Sequence, residues 1–233
     1  MNIIEINNLE VSSKKEKIFE IDNLILKSGE FLIINGKNGV GKTLFLKSLS
    51  GDIIFEKGLE ISGSIKINNN EYLNNYNSEE IRKNICYIPQ KDEYFTEKTV
   101  LEEFLLAFKL RLGFKSKEEV ISFLIENAIY KIAPEIYMNL DKSPVNLSGG
   151  NQRLLTILIW LLSSQKANIY LVDEPLNNLD IYNVESVIKL FDYLVEKNPE
   201  AIILIVSHSS RFFEFVNGEL LFDNNRVIKK SYQ

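Results

Sequence analysis

The spacing of hydrophobic positions changes from one part of the chain to the next. In the first third, apolar and polar residues alternate in "NIIEINNLEV", "KIFEIDNLIL" and "SIKINN", with Asn, Ser and Gly between these segments. Such alternation is typical of strands that bury only one face. We therefore expect an antiparallel sheet in this part of the chain.

Three other segments are almost continuously apolar, namely "EFLIING", "NIYLVDEP" and "AIILIVSH". Short apolar runs of this kind are typical of strands buried on both faces. The sequence "TLFLKSLSG" predicts a helix that ends at Gly51, and "NVESVIKLFDYLVEK" predicts another between the last two strands. Alternation of buried strands with helices predicts a parallel α/β core.

The middle of the chain has the spacing of helices. The segments "LEEFLLAFKLRLGF" and "KEEVISFLIENAIY" repeat apolar residues at intervals of three and four, which predicts a helical insert. The most apolar run, from Leu154 to Leu162, is too short to cross a bilayer and suits a core helix. Because no linker or repeat separates the parts, we expect a single domain.

Composition excludes several classes of function. The 233 residues are 45% hydrophobic, enough for a large core, and 27 Lys and Arg against 32 Asp and Glu give a net charge of -5. That balance does not attract a polyanion, so we expect no nucleic-acid partner. Cys86 is the only cysteine, which excludes an intrachain disulfide and a cysteine-cluster metal site. The N-terminus has no signal-peptide pattern, so secretion is not expected.

A glycine-rich loop carries the first chemical signal. The segment "GKNGVGKT", Gly36 to Thr43, has the GxxxxGK(S/T) spacing and lies between a predicted buried strand and a predicted helix. Backbone amides of such a loop face phosphates, which glycines allow to approach closely. Lys42 is expected to neutralise the β and γ phosphates, and the Thr43 hydroxyl to bind magnesium. The pattern indicates nucleoside triphosphate binding.

Polar residues follow three of the predicted strands. Asp173 and Glu174 end "IYLVDEP", His208 ends "AIILIVSH" and Gln90 ends "YIPQ". Ligands of open α/β sheets bind at the carboxyl ends of strands, so Asp173 is expected near magnesium, Glu174 as general base and His208 at the γ phosphate. Gln90 would bring an amide to the metal or the attacking water. The alternatives are a solvated acidic loop, a structural histidine and a turn glutamine.

The ordered set of motifs resembles the ATP-binding cassette (ABC) ATPases over essentially the whole chain. The corresponding segments are "GKNGVGKT" as Walker A, Gln90 as the Q-loop, "NLSGG" as the signature, "IYLVDEP" as Walker B, "LNNLD" as the D-loop and His208 as the switch histidine. The resemblance implies a P-loop NTPase fold of α/β class, with a mixed sheet core, an N-terminal antiparallel β subdomain and an inserted helical subdomain at about 91–165 of a single domain, 1–233.

The same resemblance implies ATP and Mg²⁺ as cofactors and a head-to-tail dimer. Glu174, His208 and Lys42 would be catalytic, and Thr43, Gln90 and Asp173 would hold the metal. The residues expected at the nucleotide are Gly36, Lys37, Asn38, Gly39, Val40, Gly41, Lys42, Thr43, Leu44, Gln90, Ser148, Gly149, Gly150, Gln152 and Asp180. Of these, Ser148, Gly149 and Gly150 would serve nucleotide bound on a second domain, and Asp180 would cross the same interface. A helix-capping turn is the alternative for the signature segment.

Resemblance also implies partners. A second ABC domain, in a homodimer or heterodimer, and a separate transmembrane permease are expected, with the chain peripheral on the inner face of the membrane. The alternative is a non-transport ATPase of the iron–sulfur cluster assembly type. Tyr94 and Phe95 are candidates for the permease contact or for the core. Where the family usually stacks an aromatic residue on adenine, this sequence has Ser13, and Phe19 is the nearest substitute.

Overall fold

A computed structural model describes residues 3–14, 16–73, 76, 79–91 and 98–232. The chain divides into two compact units. Unit 1 comprises 1–87, 166–174 and 198–233, and unit 2 comprises 88–165 and 175–197. Tyr94 and Phe95, candidates for a partner contact, lie outside the described residues. The prediction of a single domain with an insert at about 91–165 stays a prediction.

Unit 1 is built on a sheet in which ten strands are seen among the described residues. In chain order the strands are β1 (Ile3–Ser13), β2 (Glu16–Lys27), β3 (Phe31–Gly36), β4 (Leu59–Ile67), β5 (Asn70–Glu71), β6 (Ile85–Ile88), β7 (Ile169–Asp173), β8 (Ile202–Val206), β9 (Gly218–Asp223) and β10 (Arg226–Ser231). Their order across the sheet is β5-β4-β1-β2-β10-β9-β3-β8-β7-β6.

The N-terminal strands form the antiparallel part of this sheet. β1 pairs with β2 and β4, and its alternate residues Ile4 and Ile6 are fully buried, as the alternating sequence predicts. The β1–β4 register shifts between Asn7 and Glu10. Opposite this bulge, a Cβ on Gly63 would lie 2.3 Å from the Asn8 carbonyl oxygen, so the close approach of the two strands requires glycine.

The parallel part contains the predicted buried strands. β3 pairs with β8 and β9, and β8 pairs with β7, all in parallel. Helix α1 (Lys42–Ser50) follows β3 and buries Phe45, Leu46 and Leu49. It ends at Gly51 in the left-handed conformation, as "TLFLKSLSG" predicts. The predicted α/β fold is therefore confirmed, with antiparallel strands at the N-terminus.

A C-terminal hairpin, which the sequence analysis did not predict, completes the sheet. β9 and β10 pair antiparallel, and a single parallel pairing of Arg226 with Glu20 joins β10 to β2. The turn contains Asn224 and Asn225 with φ of 47° and 64°, the left-handed pair typical of a type I′ hairpin. Through this hairpin the antiparallel and parallel parts become one sheet.

Helices form most of unit 2. After the short α2 (Glu79–Lys83) of unit 1 come α3 (Val100–Leu112), α4 (Lys117–Glu126), α5 (Ile129–Ile132), α6 (Pro134–Tyr137), α7 (Gly149–Ser163) and α8 (Ile181–Lys197). Helix α3 begins with a capping box in which Thr99 and Glu102 bond reciprocally. Edge-to-face ring contacts join α3 to α4 and hold the predicted helical segment together; the rings are those of Phe104, Phe108, Phe114 and Phe123.

Two further expectations concern single features. Cys86 is fully buried in β6, in agreement with the interpretation of a small core hydrophobe. Among the described residues, no helix has both the length and the apolar character that crossing a membrane requires.

Candidate functional site

Strand order brings the predicted residues of unit 1 to one edge of the sheet. β3, β8 and β7 are parallel neighbours, so their carboxyl ends meet at the same edge. The Gly36–Thr43 loop follows β3, Asp173 and Glu174 end β7, and Ser207 and His208 follow β8. Three chain segments far apart in sequence thus converge as the strand-end pattern predicts.

The loop wraps around the ammonium group of Lys42. Lys42 Nζ donates to the carbonyl oxygens of Gly36 at 2.7 Å and Lys37 at 3.1 Å, and the residue is only 7% exposed. These bonds fix the start of the loop to the start of α1. The lysine therefore holds the loop closed and keeps a positive charge beneath the exposed residues Lys37, Asn38 and Gly39.

The N-terminus of α1 has the properties of an anion site. Gly41 precedes the helix in the left-handed conformation, with φ of 101°, and makes no side-chain cap. The first intrahelical bond runs from the Phe45 amide to the Gly41 carbonyl, so the amides of Lys42, Thr43 and Leu44 precede the helical ladder. No acidic side chain lies in the first turn. Amides and helix dipole together favour phosphate here.

Gly41 is also required by packing. A Cβ at this position would lie 2.7 Å from Cδ1 of Phe19 and 3.0 Å from Cγ2 of Ile18. Both residues belong to β2, and Phe19 is fully buried. The phosphate-type loop therefore rests directly on the aromatic core, and a side chain at Gly41 would push it away.

Asp173 is buried, whereas the adjacent Glu174 is partly exposed. Asp173 ends the all-buried β7 and is 1% exposed, and α1 packs against this strand. Burying a carboxylate is unfavourable unless hydrogen bonds or a cation offset the loss of hydration. In the described part of the chain, no group of three or more His, Cys, Asp or Glu side chains suits a metal ion.

Glu174 occupies a strained backbone position beside His208. Its φ is 48°, unusual for a residue with a side chain, and its amide donates to the Val206 carbonyl at 2.9 Å. His208 Nε2 lies 3.6 Å from Glu174 Oε1. Burial raises the pKa of the Glu174 carboxyl and the charge of Asp173 adds to this, whereas His208 and Lys42 oppose it. A carboxyl with a raised pKa suits a general base.

In unit 2, the signature segment begins a buried helix. Ser148 precedes α7, and its Oγ accepts a hydrogen bond from the Asn151 amide at 3.3 Å. The capping interpretation is thus correct for Ser148 in this structure. Ser148 and Gly149 are nevertheless exposed, and a Cβ on Gly149 would meet no atom of the described residues within 4 Å. The beginning of α7 is therefore open to an external ligand as well as capped.

Gln152, Asp180 and Gln90 also lie in unit 2. Gln152 Nε2 donates to the Leu147 carbonyl at 3.0 Å, which holds the turn before α7. Asp180 is exposed, and its Oδ1 accepts from the amides of Tyr182 and Asn183 at 2.9 Å, capping α8. Gln90 is exposed directly after β6 and Pro89. Each side chain therefore has a local structural setting, and their nucleotide roles stay predictions.

The sequence matches the ABC transporter family over residues 19–177, more than half of the chain. The chain belongs to the ABC transporter family. The matched range contains the Gly36–Leu44 segment, Gln90, the signature turn and the Asp173–Glu174 pair. Asp180 and His208 lie beyond it.

Two relatives and one solved structure illustrate the membership. The chain is similar to a putative ABC transporter ATP-binding protein of Clostridium perfringens, 32% identical over 215 residues, which covers 87% of this chain but 36% of that protein. It is similar to an energy-coupling factor transporter ATP-binding protein of Fusobacterium nucleatum, 29% identical over 229 residues, covering 96% and 82%. A solved ATP-binding subunit of an ABC transporter has the same fold, with a TM-score of 0.74, 20% identity and coverage of 98% and 90%.

In this ABC transporter chain, the position of Phe19 argues against its replacing the adenine-stacking aromatic residue. Phe19, the nearest aromatic to the place where an adenine-stacking ring is expected, is fully buried. Its ring packs edge-to-face with Phe45 and Phe222, at centroid distances of 6.2 Å and 5.5 Å. A residue in this position supports the loop from below and does not offer a face to a base. Ser13 Oγ donates to the Gly58 carbonyl at 3.3 Å.

Sequence reasoning assigned no role to Arg153, which the structure connects to Pro89. Arg153 is 4% exposed in α7, and its Nη1 donates to the Pro89 carbonyl at 2.7 Å. The sequence feature that could have pointed to Arg153 is its position directly before the long apolar run "LLTILIWLL". A charge entering a buried helix requires a polar partner, although the sequence does not say which one.

Proposed function

We propose that the chain is the ATP-binding and ATP-hydrolysing subunit of an ABC transporter. The observation that supports this most directly is the loop closed around Lys42 at the N-terminus of α1, with Glu174 and His208 at the same sheet edge. Family membership supports the same activity, ATP and water giving ADP and phosphate. The names of the relatives favour transport over the alternative of iron–sulfur cluster assembly.

In this proposal the Gly36–Leu44 segment binds the triphosphate. The amides that precede the helical ladder of α1 donate to phosphate oxygens, and Lys42 neutralises the β and γ phosphates. Thr43, in the first turn of α1, and Asp173, on the strand against which α1 packs, would supply oxygen ligands to magnesium. Gln90, in unit 2, is assigned a role toward nucleotide on the family resemblance alone. Mg²⁺ would neutralise part of the charge of the phosphates. Proteins usually bind this ion through one or two carboxylates together with oxygens of the substrate.

Glu174 is assigned the proton transfer. Its raised pKa means that the carboxylate takes a proton more readily than an ordinary glutamate at neutral pH. His208, 3.6 Å away and largely exposed, orients the carboxylate and contacts the γ phosphate. The strained backbone of Glu174 is consistent with a residue whose position is selected for chemistry.

A second ABC domain, identical or different, completes the site. Ser148, Gly149 and Gly150 offer a hydroxyl, bare amides and a helix N-terminus to nucleotide on the partner. Asp180 and Gln152 are assigned to the same surface. The open space at Gly149 supports this assignment, because none of the described residues approaches a Cβ there closely enough to require a glycine.

A separate transmembrane permease is the proposed partner for transport, which places the chain at the cytoplasmic face of the membrane. One relative is named as an energy-coupling factor transporter ATP-binding protein, which favours a transport role. Affinity purification of the tagged chain from detergent-solubilised membranes tests this. Stoichiometric recovery of an integral membrane protein supports transport, and recovery from the soluble fraction alone contradicts it.

Nucleotide titration of Lys42→Ala tests the central claim. Loss of the ammonium group should weaken binding of ATP by about tenfold or more. Lys47→Ala is the matched control, because Lys47 lies on the same helix and pairs with Glu56 instead. Equal affinities of the two variants would contradict the phosphate-loop assignment. Glu174→Gln should still bind ATP but turn it over slowly and accumulate as a dimer.

A further inference from the structure

Arg153 is a buried charge in a largely apolar helix. It lies in the second turn of α7, is 4% exposed and is followed by a continuous run of buried residues from Leu154 to Ile159. Burying a guanidinium is unfavourable unless its hydrogen bonds are made. The groups that Arg153 contacts are therefore held at defined positions relative to α7.

One of its hydrogen bonds reaches a distant backbone carbonyl. Arg153 Nη1 donates to the carbonyl oxygen of Pro89 at 2.7 Å, across 64 positions of sequence. A bond of this length from a charged donor belongs to the stronger class of protein hydrogen bonds. Pro89 has a restricted φ and is followed directly by the exposed Gln90. The bond thus fixes the backbone from which Gln90 projects.

The same end of α7 carries the signature turn. Ser148 Oγ accepts from the Asn151 amide, and the Gln152 side chain donates to the Leu147 carbonyl. These bonds tie the Ser148–Gly150 turn to the first two turns of the helix. Arg153 is the next residue along, so one short stretch of helix holds both the turn and the residue before Gln90.

We propose that Arg153 is a positioning residue that holds Gln90 and the Ser148–Gly150 turn in a fixed mutual arrangement within unit 2. The inference rests on the proposed function, which assigns both segments to nucleotide. Arg153 touches no reacting atom in this scheme. It acts through the Pro89 carbonyl, so that a movement of the residues before Gln90 is transmitted to the signature turn.

Arg111 provides a matched control within the same unit. Its Nη1 donates to Ser164 Oγ at 2.8 Å, and its guanidinium lies 5.4 Å from the centre of the Trp160 ring. It therefore fastens α3 to the opposite end of α7. An arginine that serves only to hold helices together should behave as Arg111 does.

Hydrogen–deuterium exchange of the nucleotide-free full chain tests the connection without requiring activity. Arg153→Met should raise exchange in peptides covering Tyr87–Lys91 and Asn146–Gln152 by about tenfold, the effect of one lost charge-assisted hydrogen bond. Arg111→Met should leave both peptides unchanged. Arg153→Lys keeps the charge and one donor and should restore part of the protection. Unchanged exchange in the Tyr87–Lys91 peptide of Arg153→Met would overturn the inference.

Steady-state kinetics tests the consequence for catalysis. Arg153→Met should lower kcat about tenfold while ATP affinity stays within about twofold of wild type, because the phosphate loop belongs to unit 1. Arg153→Lys should be intermediate. Wild-type kcat in Arg153→Met, or a loss of kcat no greater than that of Arg111→Met, would overturn the inference. If Arg153→Met does not fold, the exchange and kcat of Arg153→Lys against Arg111→Lys decide in the same way.

The experiments distinguish failure of the proposed function from failure of the positioning role of Arg153. A wild-type chain that neither binds nor hydrolyses ATP contradicts the proposed function, whatever the variants do. In that case the exchange data still decide whether Arg153 connects the two segments. A wild-type chain that is active, with an Arg153→Met variant indistinguishable from it, contradicts the positioning role alone.

Discussion

Gly150 packs directly against the side chain of Asn183. A Cβ on Gly150 would lie 2.7 Å from Asn183 Nδ2 and 3.3 Å from Asp180 Oδ2. Asn183 is 6% exposed and donates from the same nitrogen to Asp180 Oδ2 at 2.9 Å, so it has little freedom to move aside. A Cβ on the neighbouring Gly149 would meet no such contact from any residue that the structure describes. Two adjacent glycines of one motif therefore have different physical reasons to be glycine.

Alanine at these two positions should separate folding from function. Gly150→Ala should destabilise the chain by about 1–3 kcal/mol through overpacking against Asn183. Gly149→Ala should leave stability unchanged or raise it by up to about 1 kcal/mol, because alanine is the better helix former. ATP-dependent dimerisation in a Glu174→Gln background should nevertheless be weakened by Gly149→Ala. Thermal unfolding and light scattering measure the two effects.

Two outcomes would contradict this prediction. Equal loss of stability in both variants would contradict the open space at Gly149. Full dimerisation by Gly149→Ala would contradict its role toward nucleotide on a second domain.

Asp180 has a capping role that must be separated from its proposed role at the interface. Asp180→Ala removes the acceptor for the Tyr182 and Asn183 amides and should cost about 1 kcal/mol, measured by chemical denaturation. Asp180→Asn keeps a capping oxygen and should unfold close to wild type. If the carboxylate also crosses to a second domain, both variants should lose ATP turnover to a similar extent. Wild-type turnover in Asp180→Asn would restrict Asp180 to capping.

Phe19 should behave as a core residue. Phe19→Leu leaves a void between Phe45 and Phe222 and should destabilise the chain by about 1–2 kcal/mol. Because Phe19 also supports Gly41, affinity for nucleotide should fall, but equally for ATP and GTP. Calorimetric titration with both nucleotides measures this. A change in the ratio of the two affinities would show that Phe19 contacts the base.

Much of the fold follows from local patterns. Alternation predicts β1 and β2, the apolar runs predict β3, β7 and β8, and Gly51 ends α1 as its sequence indicates. The C-terminal hairpin is different, because β10 meets β2 through one long-range pairing, Arg226 with Glu20. Its turn signal, Asn224 and Asn225, is visible in the sequence, but the partner strand is not. Long-range strand pairing is decided by packing that no local pattern records.

For the site, too, local sequence patterns predict only part of the arrangement. Residues at strand ends converge as predicted, because parallel neighbours place their carboxyl ends together. Other features depend on atomic positions that no local pattern gives. They are the bonds of Lys42 to the loop carbonyls, the strained backbone of Glu174 and the contact of Gly150 with Asn183. Arg153 and Pro89 are 64 residues apart, so the sequence indicates a buried charge without its partner.

The raised pKa of Glu174 predicts how stability changes with pH. Burial, its largest cause, favours the protonated carboxyl in the folded chain over the ordinary value of 4.5. Ionised Glu174 therefore lowers the free energy of unfolding at neutral pH, and this penalty disappears as the pH falls through the raised pKa toward 4.5. Glu174→Gln should be more stable than wild type near neutral pH, with the difference shrinking on acidification.

Glu20→Gln supplies a control of opposite sign. A hydrogen bond from Lys17 holds the pKa of Glu20 below its ordinary value, so its ionised form stabilises the folded chain above that value. Glu20→Gln should therefore be less stable than wild type at neutral pH, and this deficit should also shrink as Glu20 protonates. Thermal unfolding of the three proteins across acidic and neutral pH measures both differences. A Glu174→Gln variant less stable than wild type at neutral pH would mean that His208 and Lys42 outweigh burial, and the carboxylate would then be a weaker base than its setting indicates.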